Sequence, residues 1–238
     1  MLPISQRNLF SALPHPSSKN KYAKESINIE SYLTIGQENS ADLIIKKSSF
    51  ICSVARTDTE QDAQKFIEKI KKLNPKANHN CFAYVIGSKN DVQRQSDNGE
   101  PSGTAGVPIL NVLLKTNVRN TTAVVTRYFG GIKLGTGGLI RAYGQATTLA
   151  LNNAIVLIKP QNITEITISY SQLGRFQNFA AENQLVIDSI SYQENILLYL
   201  LTDPSETSTN LSEIRDLLNG QVTFRPNGTK YIEAPQIK

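Results

Sequence analysis

The chain is poor in the residues that hold metals and bridge loops, with two cysteines, Cys52 and Cys81, and two histidines, His15 and His79, among 238 residues. Their positions offer no metal-ligand spacing, so neither a metal nor a cofactor is expected. Both cysteines stand in apolar runs, Phe50-Ile51-Cys52 and Cys81 to Ile86, where small thiols are commonly buried and inert; a redox or metal role is the alternative. No run approaches the roughly 20 apolar residues of a membrane span. Residues 1–30 lack an apolar core of signal-peptide length. These absences lead to the expectation of a soluble, cytoplasmic protein without a membrane partner.

The most informative absence is of negative charge. Between Glu100 and Glu165 there is no aspartate or glutamate, while Lys115, Arg119, Arg127, Lys133, Arg141 and Lys159 all fall there. Residues 1–159 hold 20 basic and 11 acidic residues, net +9, and residues 160–238 hold 5 and 9, net −4. The overall charge of +5 therefore conceals a basic part and an acidic part. Such one-sidedness is the footprint of a protein that meets phosphates with one domain; a solvated basic face without a partner is the plainer alternative.

Glycine is concentrated where the acids are missing. Nine of the fourteen glycines, Gly99, Gly103, Gly106, Gly130, Gly131, Gly135, Gly137, Gly138 and Gly144, lie between positions 99 and 144. Eight of them gather in two runs, Asp97 to Gly106 and Thr126 to Gly138, as if the backbone needed positive φ or close approach to a ligand. Thr121 to Arg127, rich in β-branched residues, reads as a buried strand that delivers Arg127 and Tyr128 into the second run. Leu139 to Leu151 reads as the helix that follows. A strand, a glycine loop holding Lys133 and the free N–H groups of a helix start together make a phosphate cradle. It is not a recognisable nucleotide site, since no Gly-Lys-Ser/Thr follows the loop. The dinucleotide fingerprint fails too, at Ile140, where glycine or alanine belongs.

Other polar residues admit two readings each. His79, Asp97, Glu100 and Ser102 could compose a Ser/His/carboxylate hydrolase. Against that, Asp-Asn-Gly and Glu-Pro-Ser-Gly are turn formers, and no nucleophile elbow is present. Tyr128 and Phe129 suit stacking on unpaired bases, or a place in the core.

Short β-branched runs at Asp42 to Lys46 and Phe50 to Val54 predict strands, as does Cys81 to Ile86, which turns through Gly87 to Asp91 into Val92 to Arg94. After Asp58 as N-cap, Ala63, Phe66, Ile67, Ile70 and Leu73 recur with helical spacing until Asn74-Pro75. Pro108 suits the first turn of another helix. Lys159-Pro160-Gln161-Asn162 reads as a linker, beyond which strand, helix, strand, strand, helix, strand predicts a ferredoxin-like α/β sandwich. The fold class is α+β, with a disordered extension over 1–30 and domains over 31–157 and 158–238.

The two glycine runs resemble the signature of the IMPACT/YigZ family, a resemblance extending over about residues 30–238. Its motif positions match His79 and Asn80, then Glu100, Pro101, Ser102, Gly103 and Thr104, then Arg127, Tyr128, Gly130, Gly131, Lys133, Gly135 and Arg141. The chain departs from the pattern at Ser49, where arginine is usual, and at Asn98, where aspartate is common. The resemblance implies an N-terminal domain similar to the second domain of a small-subunit ribosomal protein and a C-terminal domain similar to the last domain of elongation factor G. It further implies a regulator of translation that meets RNA or the ribosome. On that expectation Arg127, Tyr128, Gly130, Gly131, Lys133, Gly135, Gly137 and Arg141 form the phosphate-binding surface. Fold analogy is divided, however, because the same N-terminal fold serves small-molecule kinases. One alternative is therefore an enzyme or binder of a small phosphorylated or peptide-like ligand, with Glu100 as acid or base. The other is a protein-interaction module led by the C-terminal domain.

Overall fold

The computed structural model describes residues 30–235. The expectation for the N-terminal thirty residues therefore falls outside it, except at Glu30. After β1 (Tyr32–Ile35), the strands β2 (Asn39–Ile45), β3 (Ser48–Arg56), β4 (His79–Ile86), β5 (Val92–Ser96) and β6 (Thr121–Tyr128) form an antiparallel sheet in the order β2-β3-β6-β4-β5. β6 is central and buried from Thr121 to Arg127, because helices cover both faces. Helix α1 (Glu60–Leu73) lies on one face through Ala63, Phe66, Ile67 and Ile70. Helices α2 (Gly106–Thr116) and α3 (Thr136–Leu151) lie on the other through Ile109, Leu113, Leu139, Tyr143 and Ala146. Strand alternation then sorts the side chains, so that Val124 faces α1 while Ala123, Val125 and Arg127 face α2 and α3.

Local chemistry accounts for two shifts from the sequence reading. Thr59, not Asp58, caps α1, because its Oγ1 accepts the Asp62 N–H at 3.1 Å. Helix α3 starts at Thr136, so Gly137 and Gly138 form its first turn instead of the end of a loop.

The second sheet is built by β7 (Ile155–Ile168), β8 (Val186–Tyr192), β9 (Ile196–Thr202) and β10 (Thr223–Pro235), joined by β1 as a fifth strand, with α4 (Leu173–Glu182) and α5 (Thr207–Leu217) on one face. Its order, β10-β7-β9-β8, is that of a ferredoxin-like sandwich, and the α+β class is observed as expected. Ile166, Phe176, Leu198, Leu200 and Ile214 form its core. Lys159 to Asn162, read from sequence as a linker, lie inside β7 instead. One edge of this 14-residue strand pairs with β1 at residues 155–158 and with β9 at 162–168. Pro160, which has no N–H for a ladder, falls in the gap between those two partners.

Cys52 and Cys81 flank Val125 on neighbouring strands, two strand spacings or roughly 10 Å apart. That is too far for a disulfide. Burial pushes both thiols up to about 12, against smaller lowering by hydrogen bonds to Thr147 and Tyr143, so neither is a thiolate at neutral pH. Among the described residues no helix is long and apolar enough to cross a membrane, and no group of three or more His, Cys, Asp or Glu could hold a metal.

Candidate phosphate-binding surface

The first glycine run is organised by one carboxylate. Asp97 Oδ1 accepts the N–H groups of Ala105 and Gly106, and Oδ2 that of Gly103, each at 2.9 Å. Burial alone would raise its pKa, but the backbone donors of Gly103, Gly106 and Ala105 outweigh burial and hold it below the ordinary carboxylate value. The positive end of α2 is thus filled by the protein's own anion, which leaves no vacancy there for a ligand. Asp97→Ala is expected to destabilise the fold by about 2 kcal/mol in urea titrations at pH 7. Because the folded pKa is depressed, the Asp97 contribution is full above the ordinary value of about 3.9 and is lost as pH falls below it. The gap between wild type and Asp97→Asn should therefore narrow in acid.

Behind this run lies a buried polar cluster. Glu100 Oε1 accepts from Arg127 Nη1 at 2.5 Å and from the Tyr143 hydroxyl at 2.7 Å. Burial, then neighbouring Cys81 and Glu100, push the Tyr143 pKa far up, so its hydroxyl stays a donor. The rings of Phe50 and Phe129 lie over the Arg127 guanidinium at 5.3 and 5.5 Å, and Phe50 meets Tyr143 edge to face at 5.3 Å. Arg127 Nε has no hydrogen-bond partner among the described residues. Arg127, expected to reach phosphates, is 5% exposed and turned inward by the alternation of β6.

His79 stands at the rim of this cluster. Its Nδ1 lies 3.0 Å from the Asn98 carbonyl and therefore carries the proton, while Nε2 is 3.9 Å from Glu100 Oε1. Asn98, at φ +42°, accepts the Asn80 N–H on its side chain at 2.9 Å. Of the three catalytic candidates, His79 and Glu100 come together. Ser102 is exposed on its loop, and no hydrogen bond joins it to His79.

The second glycine run presents a different surface. Gly135 caps α3 without a side-chain hydrogen bond, and no acidic residue lies in the first turn, so among the described residues no side chain caps the leading N–H groups. Gly131 and Gly135 have φ of +83° and +74° with open space where a side chain would be. Lys133 and Arg141 are exposed and in no ion pair among the described residues, and Arg141 Nη1 lies 3.5 Å from where a Gly137 Cβ would stand. Gly130 acts differently, since its Cβ would lie 2.1 Å from the Lys47 carbonyl and its N–H donates to Ser48 Oγ at 3.1 Å.

That packing brings the β2–β3 turn beside the loop, with Lys46 and Lys47 at φ +46° and +66°. Neither lysine was singled out from sequence, although two residues between apolar runs signal a tight hairpin. Tyr128 is half-buried and donates its hydroxyl to Asn74 Oδ1 at 3.0 Å, whereas Phe129 is 46% exposed. The other cations of the acid-free stretch lie apart. Lys115 sits in the last turn of α2, Arg119 packs on the Tyr32 ring at 5.7 Å, and Lys159 belongs to β7.

Comparison with known proteins places these features. The family model for the Impact N-terminal domain matches residues 46–151, and a domain of unknown function matches 166–221. The IMPACT family member YvyE of Bacillus subtilis is 44% identical over 206 residues, spanning 86% of this chain and 95% of that protein. YigZ of Escherichia coli is 37% identical over 75% of this chain and 89% of its own length. The protein IMPACT of Danio rerio is 35% identical over 95 residues, covering 38% of this chain and 29% of that protein. A crystal structure of a hypothetical protein superposes with a TM-score of 0.53 at 34% identity, covering 82% of this chain and 96% of the other. With its two glycine runs, its two sheets and bacterial relatives matched along most of their length, the chain belongs to the IMPACT family.

Proposed function

We propose that this chain is an RNA-binding regulatory protein associated with translation, which holds the phosphate backbone at the second glycine run. The observation that carries the reading is the start of α3 without a side-chain cap, flanked by the exposed Lys133 and Arg141 in a stretch without acidic residues. Donors of this kind suit a phosphate oxygen and carry no base preference of their own. Arg127 contributes indirectly, through its pairing with Glu100 beneath the loop. The acidic C-terminal domain, net −4 over residues 160–238, serves in this reading as the docking side for a protein partner.

Titration of purified protein with RNA at several salt concentrations tests the proposal. Lys133→Ala is expected to weaken binding to all sequences alike and to flatten the salt dependence by about 0.7 in log–log slope for a single strand. Unchanged slopes in both Lys133→Ala and Arg141→Ala would remove the loop from the site. A second reading, a small phosphorylated ligand with Glu100 as acid or base, draws on His79 Nε2 facing that carboxylate. It predicts saturable binding of such a ligand in the absence of RNA binding.

A further inference from the structure

We propose that Phe129 is a base-stacking platform, which makes this surface a reader of single-stranded RNA; the inference rests on the RNA-binding reading above. Phe129 follows β6 directly and is 46% exposed, in a loop with no acidic residue. An exposed phenyl ring would ordinarily be free to turn. Here it lies 5.5 Å from the Arg127 guanidinium, which is itself held by Glu100 and covered by Phe50. Phe50 meets Tyr143, and the Tyr143 hydroxyl returns to Glu100, so a closed chain of contacts runs from the surface ring into the core. The Phe129 N–H is also fixed, donating to Asn78 Oδ1 at 2.8 Å.

This arrangement gives the buried pair a use beyond its support of the loop. A buried arginine–carboxylate pair contributes little net stability, yet here it orients a ring that remains in solvent. The Arg127 side of the ring is occupied, and the exposed remainder can receive a base, as aromatic platforms in single-strand binders do. Duplex RNA keeps its bases stacked inside and offers nothing to such a ring. Lys46 and Lys47, brought beside the loop by the contact of Gly130 with Lys47, extend the cationic track for the adjoining backbone.

The test uses the full chain with a single-stranded RNA decamer carrying 2-aminopurine at one position, and with the duplex of the same sequence. Wild type is expected to prefer the single strand and to quench the 2-aminopurine fluorescence on binding. Phe129→Ala should weaken single-strand binding about tenfold and abolish the quench, leaving duplex affinity and salt slope unchanged. Phe129→Leu, which keeps apolar bulk without a π-face, should lose the quench equally. Lys46→Ala/Lys47→Ala should retain the quench and flatten the single-strand salt slope by about 1.4. A quench that survives Phe129→Ala, or equal weakening of single strand and duplex, overturns the platform and leaves the phosphate surface standing. Absence of binding by wild type to either RNA overturns the underlying reading as well.

Discussion

Glu100→Ala is expected to cost the fold about 3–5 kcal/mol, because it leaves the Arg127 guanidinium charged, buried and without its carboxylate. The same substitution strips the Tyr143 hydroxyl of its acceptor. Arg127 already leaves Nε without a partner among the described residues, so the substitution adds a second unsatisfied donor on the same guanidinium. Glu100→Gln keeps an oxygen acceptor in place and should cost less. The double substitution Glu100→Gln/Arg127→Met removes both charges, and its stability should recover much of the loss, since an apolar replacement of a buried pair is often neutral. Guanidinium denaturation of the three variants measures this directly. A loss below about 1 kcal/mol in Glu100→Ala would mean that the pair does not hold the cluster together.

Gly130→Ala should destabilise by about 3 kcal/mol, the upper range for forcing extra volume into a packed site. The added Cβ would lie 2.1 Å from the Lys47 carbonyl carbon and oxygen and 2.5 Å from the Ser48 nitrogen. These are backbone atoms, which cannot swing aside as the end of a side chain can. Either the β2–β3 turn or the second glycine run must shift, and RNA binding should fall together with stability. Gly137→Ala is the control. Its φ is not positive, the neighbour its Cβ would meet is the flexible end of Arg141 at 3.5 Å, and it lies in a helix. Alanine there is expected to stabilise by about 0.5–1 kcal/mol, by restricting the unfolded chain. Similar losses in both variants would show that general glycine content, not the contact with Lys47, governs the loop.

The contrast between these two glycines shows what local sequence leaves undecided. Both stand in one run and invite one explanation, yet Gly130 is required by a neighbour 83 positions away in sequence and Gly137 by none. The helix of Ala63, Phe66, Ile67 and Ile70 was legible because its apolar period is local. So was Thr121 to Tyr128, whose β-branched run records burial on both faces. Lys159 to Asn162 misled because proline and amide residues usually mark connections. Here the partners that make the segment a strand, β1, β9 and β10, come from distant parts of the chain. Arg127 misled for a related reason. Its charge was visible, but which face of β6 it takes depends on alternation within the strand and on where Glu100 and Tyr143 arrive.

By itself, then, the sequence determined the α+β class, most of the order of strands and helices, the charge division and the two glycine runs. These depend on composition and short-range periodicity, which any stretch of chain carries within itself. Only the tertiary structure decided which cations remain at the surface, which glycine serves a backbone contact and which aromatic ring faces solvent. Lys133 and Arg141 stay exposed, Arg127 is drawn inward, and Lys46 and Lys47 join the loop through a contact no local pattern encodes. The physical reason is that burial and pairing belong to the packed whole. A charge or a ring acquires its role from neighbours that chain folding brings together across long separations in sequence.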